Sequence, residues 1–384
     1  MDEPRSLEVF LGKKRVGALA LTPERLCAFQ YDSEWVRDGM SISPFDLPLG
    51  EELYIARPTL FDGGFGVFDD SLPDGWGRLV LDRYLRKKGE KPEQLSPLQL
   101  LALIGKGGRG ALEYYPAFAL EPGNVDVTDQ KMQQMNFSFA DFEIAANDVF
   151  ESKELTGLSI DALFKYSGSS GGARPKAFVW SDGREWLGKF RAPGDGANAG
   201  QVEYEYSLLA KRCGISMPET RLFDGKYFGT ERFDRTAGGK LHVISAAALL
   251  NADYRIPALD YVSLLNACRI LTGDMQETEA LYRLMVFNVI IQNRDDHAKN
   301  FAFLHDGERW RLSPAYDILP SVGFGGYHTT TVNGTGEPGA QDILAVAKAV
   351  GIAEKKAHAI LDDVVTECVR SNMAKAKWAR KFKP

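Results

Sequence analysis

The chain opens on alternation. In LEVFLGKKRVGALAL, residues 7–21, apolar positions recur at every second residue on both sides of Gly12-Lys13-Lys14, which predicts two strands joined by a tight turn. FQYDSEWV, residues 29–36, reads as a third strand. The period then lengthens. DGWGRLVLDRYLRKKG (74–89) has helical spacing with Gly89 as its stop, and SPLQLLALIGKGG (96–108) predicts a second helix with Ser96 as N-cap. Residues 121–150 are polar and mixed, so a domain boundary is placed there. From about 150 to 240 the pattern is one of short strands. After 241 it is helical, in YVSLLNACRILTG (261–273), TEALYRLMVFNVIIQN (278–293), DILAVAKAVG (342–351) and EKKAHAILDDVVTECVRSN (354–372). LYRLMVFNVII is apolar nearly all round, the mark of a buried helix. The division expected is therefore 1–120, 150–240 and 241–384, and the fold class is α+β.

Composition narrows the function classes. The 384 residues are 44% hydrophobic and 26% charged, as in a soluble globular protein of two or three domains. A net charge of −6 gives no global attraction to nucleic acid. Cys27, Cys213, Cys268 and Cys368 form no CxxC pair, which points to buried free thiols in a reducing compartment. The N-terminus lacks a signal-peptide core and no apolar stretch has the length of a bilayer span, so a cytoplasmic protein without membrane contact is expected. HExxH is absent, which argues against a metal hydrolase, and His242, His305, His328 and His358 are scattered and read as structural or exposed.

Candidate chemistry sits where two apolar runs close on a polar gap. NVIIQNRDDHAKNFAF (288–303) places Asp295, Asp296, His297, Lys299 and Asn300 between a buried helix and a strand. FAFL, the Asp306-Gly307 pair and RWRL predict a hairpin with a two-residue turn. Such a hairpin brings Asn300, just before it, close to Asp317 in SPAYDIL, just after it. The same construction recurs upstream. The Gly/Ser-rich SGSSGGARPK (167–176) leads into AFVW, an Asp182-Gly183 turn and EWLGKF, which carries Lys189 back to the loop. Exposed backbone N–H groups in such a loop suit phosphate oxygens, and a nearby Lys adds a point charge. The loop is not a P-loop, since GxxxxGK[ST] is missing. Glu203 follows on the next predicted helix; it reads either as the partner of Lys189 or as a solvated charge, with Glu205 as the competing choice. Asp295 stands five residues before Asn300, the spacing of kinase catalytic loops, and Asp317 fills the place of a downstream metal-binding Asp. Asn300 and Asp317 supply oxygens of the kind that hold Mg²⁺, while Asp295 would accept or orient a substrate hydroxyl proton.

At these residues the chain resembles the HipA family of serine/threonine kinases, the toxin components of bacterial toxin–antitoxin modules. NRDDHAKNF is similar to that family's catalytic loop, SPAYDIL to its metal-binding segment, SGSSGGARPK to its nucleotide loop and GTERFDR (229–235) to its hinge. VEYEYSLLAKRCGISMPE resembles its Glu-bearing helix. LEVFLGKKRVGAL, FQYDSEWV and LPDGWGR resemble the small domain that precedes the kinase core, so the likeness runs over nearly the whole chain. The resemblance implies a two-lobed, protein-kinase-like fold with an N-terminal accessory domain, using ATP and Mg²⁺. It implies Asp295 as catalytic acid/base and Asn300 and Asp317 as metal ligands. His297, Ala298, Lys299 and Tyr316 would lie by the phosphates. Gly171, Gly172, Ala173, Arg174 and Lys176 would cover them, Lys189 would contact ATP and pair with Glu203, and Glu231, Arg232, Phe233 and Asp234 would meet the adenine. Self-inactivation by phosphorylation is implied at Ser169, with Ser170 and Ser167 as alternatives, the added charge pulling the loop out. The implied partners are a HipB-like helix-turn-helix antitoxin, operator DNA mainly through that antitoxin, and a protein substrate such as an aminoacyl-tRNA synthetase. The metal segment is not DFG and the loop is not HRD, so eukaryotic activation-loop logic does not carry over.

Two other readings remain open on the residues alone: a catalytically silent, kinase-shaped partner of a DNA-binding antitoxin, and a kinase of small molecules or lipids. Asp296 reads as a solvated charge. YHTTTVNGTG (327–336) reads equally as the substrate side of a cleft or as a plain connection. The tail RSNMAKAKWARKFKP has six basic residues and no acid, and reads as a solvated helix end or as a contact for phosphate or an acidic partner.

Overall fold

The computed structural model describes residues 2–117, 137–156, 158–323, 325–373 and 382. The basic tail lies almost wholly outside the described residues, as does part of the segment around the expected 121–150 boundary. Two compact units make up the chain: Met1–Gln201 with Arg221–Ile244, and Val202–Thr220 with Ser245–Pro384.

The first unit begins with strands β1 (Ser6–Leu11), β2 (Lys14–Leu21), β3 (Cys27–Tyr31), β4 (Leu53–Ile55) and β5 (Leu112–Pro116), in the order β4-β3-β2-β1-β5. Leu11 pairs with Lys14, so Gly12 and Lys13 form the turn, with Gly12 in the left-handed region at φ +61°. Leu7, Val9, Val16, Leu19 and Phe29 are fully buried, as alternation requires. The third strand stops earlier than expected. Asp32 accepts from the Glu34 N–H at 2.8 Å and caps a short helix, Ser33–Asp38, which takes over the second half of FQYDSEWV. Helices Gly75–Lys87 and Pro97–Ile104 follow, the second with a capping box between Ser96 and Gln99.

The same unit contains β6 (Lys176–Ser181), β7 (Arg184–Lys189), β8 (Thr220–Phe223) and β9 (Tyr227–Glu231), in the order β6-β7-β9-β8. Ser181 pairs with Arg184, which leaves the two-residue turn that Asp182-Gly183 predicts, both at positive φ (51° and 74°). Trp76 and Val80 of helix Gly75–Lys87 share one apolar cluster with Phe142, Phe164, Trp186 and Tyr227. A buried ion cluster adds a polar tie. Arg232 donates to Glu185 (2.7 Å) and Asp234 (2.8 Å), Asp234 accepts the Gly110 N–H (2.9 Å), and Arg235 donates to the Gly110 and Gly108 carbonyls. Burial works to raise the Asp234 carboxyl, but the two guanidiniums outweigh it and hold it well below the usual carboxylate range.

The second unit is mostly helical, with Tyr261–Thr272, Met275–Ile291, Ala340–Ala349 and Glu354–Arg370. Met275–Ile291 is buried on every side over its C-terminal half: Tyr282, Met285, Val286, Phe287, Ile290 and Ile291 have no exposed surface. Strands Ala302–His305 and Trp310–Leu312 form the expected hairpin, but its loop is four residues, not two. The Asp306 carboxylate accepts the N–H groups of Glu308 (3.0 Å) and Arg309 (2.9 Å), which builds the wider turn. All four cysteines are buried and free. No described helix is long and apolar enough to cross a membrane.

Candidate functional site

The buried helix Met275–Ile291 delivers the polar gap. It ends in a Schellman motif: Gln292 is left-handed at φ +58°, the Gln292 N–H bonds Val289 O (3.2 Å), and the Asn293 N–H bonds Asn288 O (2.8 Å). The chain then turns into the loop from Arg294 to Asn300. Asp295 is exposed, and its N–H donates to Ser321 Oγ at 2.7 Å. Asn300 donates through Nδ2 to the Asp295 carbonyl (2.7 Å), which closes the loop on itself and leaves the amide Oδ1 as its outer atom. Tyr316 donates its hydroxyl to the Lys299 carbonyl (2.7 Å), and Asn293 Nδ2 reaches the Asp317 carbonyl (3.4 Å). The chain after the hairpin thus returns to the loop, with Tyr316 beside Lys299 and the Asp317 backbone beside Asn293. Asp317 sits at φ +52°, an unusual backbone state for a residue other than glycine. Lys299 lies over the Tyr254 ring at 4.1 Å, and His297 Nδ1 is buried without a hydrogen-bond partner.

Asp296 departs from its expected role as a solvated charge. It is fully buried, and its carboxylate accepts from Tyr261 OH (2.9 Å), the Thr329 N–H (2.9 Å) and the Thr330 N–H (3.3 Å), and pairs with His328 Nδ1 (2.9 Å). Tyr261 OH in turn accepts from Asn288 Nδ2 (3.1 Å), whose Oδ1 accepts from Asn293 (3.1 Å). Burial, and then the adjoining Asp296 carboxylate, push the Tyr261 hydroxyl well above its ordinary value. The start of YHTTTVNGTG is therefore a brace for the loop: residues 328–330 bind Asp296, and Thr329 also bonds the Arg294 carbonyl. Glu203 is likewise buried, whereas Glu205 is exposed, which overturns the reading of Glu203 as a solvated charge.

In the first unit the β6–β7 register sets Lys189 opposite Lys176, the last residue of the Gly/Ser loop. Lys189 Nζ lies 5.6 Å from the Phe228 ring. Lys176 is buried and turns its ammonium back onto the Gly171 carbonyl (2.5 Å). Gly171 and Ala173 are exposed, Gly172 is left-handed at φ +80°, and Arg174 pairs with Asp195 (3.1 Å). Ser167 and Ser170 are buried, Ser170 Oγ donating to the Ser167 carbonyl (2.6 Å), while Ser169 is half-buried. At the hinge, Glu231 pairs with Arg184 (2.8 Å) and Phe233 is half-buried. The Arg232 and Asp234 side chains are committed to the buried ion cluster, and the Arg232 N–H and carbonyl and the Asp234 carbonyl are bonded to Glu185, Arg235 and Leu241.

The residues that sequence reading missed, Tyr261, Asn288, Asn293 and Ser321, carry no local signature, since each matters through its partners in the folded chain. The doubled acid at 295–296 was the one visible hint.

Residues 168–372 match the family model of the HipA-like C-terminal domain, and residues 7–115 match that of the HipA N-terminal domain. Two curated relatives come from Sinorhizobium fredii. "Putative kinase Y4dM" is 25% identical over 279 residues, 66% of this chain and 62% of the relative, so the chain spans less than two thirds of that protein. "Putative kinase Y4mE" is 28% identical over 130 residues, 30% of this chain and 31% of the relative. Among solved structures, HipA of Shewanella oneidensis MR-1, in complex with HipB and its operator DNA, superposes with a TM-score of 0.65 at 17% identity. The match covers 98% of this chain and 92% of that one.

Proposed function

The chain belongs to the HipA family and has its fold, and from that premise we propose that it is an ATP-dependent serine/threonine-protein kinase, the toxin of a toxin–antitoxin pair. The observation that carries this reading is the closed loop from Asp295 to Asn300, with Tyr316 and Asp317 laid against it. Exposed Asp295, fixed through its N–H by Ser321, is the group that accepts or orients the substrate hydroxyl proton.

The donor set suits a divalent cation that keeps water and phosphate in its shell. Asn300 Oδ1 and the Asp317 carboxylate would be hard oxygen ligands, on segments that the bond from Tyr316 to the Lys299 carbonyl ties together. Mg²⁺ held there would neutralise charge on the triphosphate. Ordinary carboxylate chemistry suffices for Asp295, because positioning and charge neutralisation dominate phosphoryl transfer. His297, Ala298 and Lys299 would border the phosphates, with Lys299 oriented by Tyr254. The Gly/Ser loop, with Lys189 at its base, would cradle them, and the hinge residues Glu231, Arg232, Phe233 and Asp234 would border the adenine. Self-phosphorylation falls on Ser169, because it is the one of the three candidate serines that is not buried. A HipB-like antitoxin would bring the chain to operator DNA, in keeping with the complex in which the Shewanella protein is found.

The test is ATP binding and phosphotransfer by wild type and Asp295→Asn. The expected result is comparable ATP binding, with transfer to protein Ser or Thr lost in the variant by at least ~100-fold. Label appearing on a metabolite rather than on protein would favour a small-molecule kinase. Binding without any transfer by wild type would favour a silent partner protein.

A further inference from the structure

The Asp74 carboxylate does not cap its own helix. Asp74 stands at the N-cap of Gly75–Lys87, yet its side chain makes no capping bond there. Its Oδ1 instead accepts the N–H of Gly172, 98 residues away, at the apex of the Gly/Ser loop. The Trp76 N–H, left over at the start of the helix, donates back to the Gly172 carbonyl at 2.9 Å. Trp76 Nε1, buried, donates to the Lys176 carbonyl at 3.0 Å, where the loop passes into β6. Residues 74–77 therefore hold Gly172 by both its backbone groups and the loop's last residue by a third bond.

The glycines are what allow so close an approach. Gly75 is left-handed at φ +46°, and a Cβ there would lie 2.6 Å from Gly172 C and O. A Cβ at Gly77 would lie 1.9 Å from the Ser170 carbonyl. Both contacts are with backbone, which cannot swing aside. The turn is thus fitted to one conformation of residues 170–172.

We infer that residues 74–77 of the accessory domain are a positioning part of the nucleotide site, with Asp74 holding the Gly/Ser loop in the shape that takes the phosphates of a nucleoside triphosphate. This rests on the kinase reading for its ligand. The physical reason is preorganisation. A loop with several glycines loses much backbone entropy when it is ordered around a ligand, and a scaffold that has already ordered it removes that cost from binding.

The experiment uses the full chain as wild type, Asp74→Ala and Asp74→Asn. Amide hydrogen exchange of residues 167–176 is followed without nucleotide, and the Kd for a non-hydrolysable Mg·ATP analogue is measured by calorimetry. Asp74→Ala is expected to speed exchange in the loop and raise the Kd about tenfold, with exchange in the five-stranded sheet unchanged. Asp74→Asn keeps an oxygen acceptor and is expected to restore both readouts to within about threefold of wild type. A loop that stays protected in Asp74→Ala, or one that loosens while the Kd stays the same, overturns the inference. Wild type that holds its loop protected but binds no nucleotide overturns the kinase reading, and with it the ligand named here.

Discussion

Asp296 and its neighbour Asp295 are adjacent in sequence and opposite in environment. Asp295 is exposed and Asp296 has no exposed surface at all. Removing the buried carboxylate in Asp296→Ala strands the Tyr261 hydroxyl, the His328 ring nitrogen and the Thr329 N–H. Each stranded group costs about 1–3 kcal/mol, so a loss of roughly 3 kcal/mol or more in urea denaturation is expected, and a change within about 0.5 kcal/mol would refute the brace. At this scale the five-residue step from Asp295 to Asn300 was legible, because a local loop enforces it through one side-chain bond. The burial of Asp296 was not legible, because it is set by Tyr261 and residues 328–330, more than thirty positions away on either side.

Elements were legible where period and turn chemistry agreed. The helix Met275–Ile291 and the β6–β7 hairpin follow directly from an all-apolar run and an Asp-Gly pair. Where a side chain rewired the backbone locally, the reading slipped: Asp32 turned a strand into a helix, and Asp306 widened a turn. The β6–β7 turn sets the register that places Lys189 opposite Lys176, and Gly183 holds it at φ +74°. Gly183→Ala forces a side chain into the left-handed region and is expected to cost about 1 kcal/mol. Thermal denaturation of the variant checks this, and an unchanged Tm would mean that the turn does not hold the register. Helix Pro97–Ile104 offers a parallel case, since Ser96→Ala removes the capping bond to Gln99 and is expected to cost about 1 kcal/mol in the same assay.

Across the whole molecule, the strand-then-helix pattern foretold the α+β class and the resemblance foretold the HipA-like fold, and the comparisons bear both out. Composition and period did not foretell that the accessory strands and the β6–β9 sheet join in one compact unit. Part of that union runs through Asp234 and Arg235, whose charges meet the backbone of Gly108 and Gly110. The Asp234 carboxyl lies below its unfolded value of about 3.9, so its contribution is full above that pH and fades as the pH falls through the folded value. Asp234→Asn is expected to lose about 3 kcal/mol at pH 7, with the deficit against wild type shrinking below about pH 4. Denaturation curves from pH 7 to pH 3 test this, and a deficit that does not change with pH would contradict it. Phosphotransfer to protein is proposed to depend on Asp295. The most direct measurement compares the phosphoproteomes of cells expressing wild type and Asp295→Asn, with the phosphopeptides of the chain itself included. New phosphoserine or phosphothreonine sites are expected in the wild-type cells alone, Ser169 among them. Two indistinguishable phosphoproteomes, with an unmodified Gly/Ser loop in both, would contradict it.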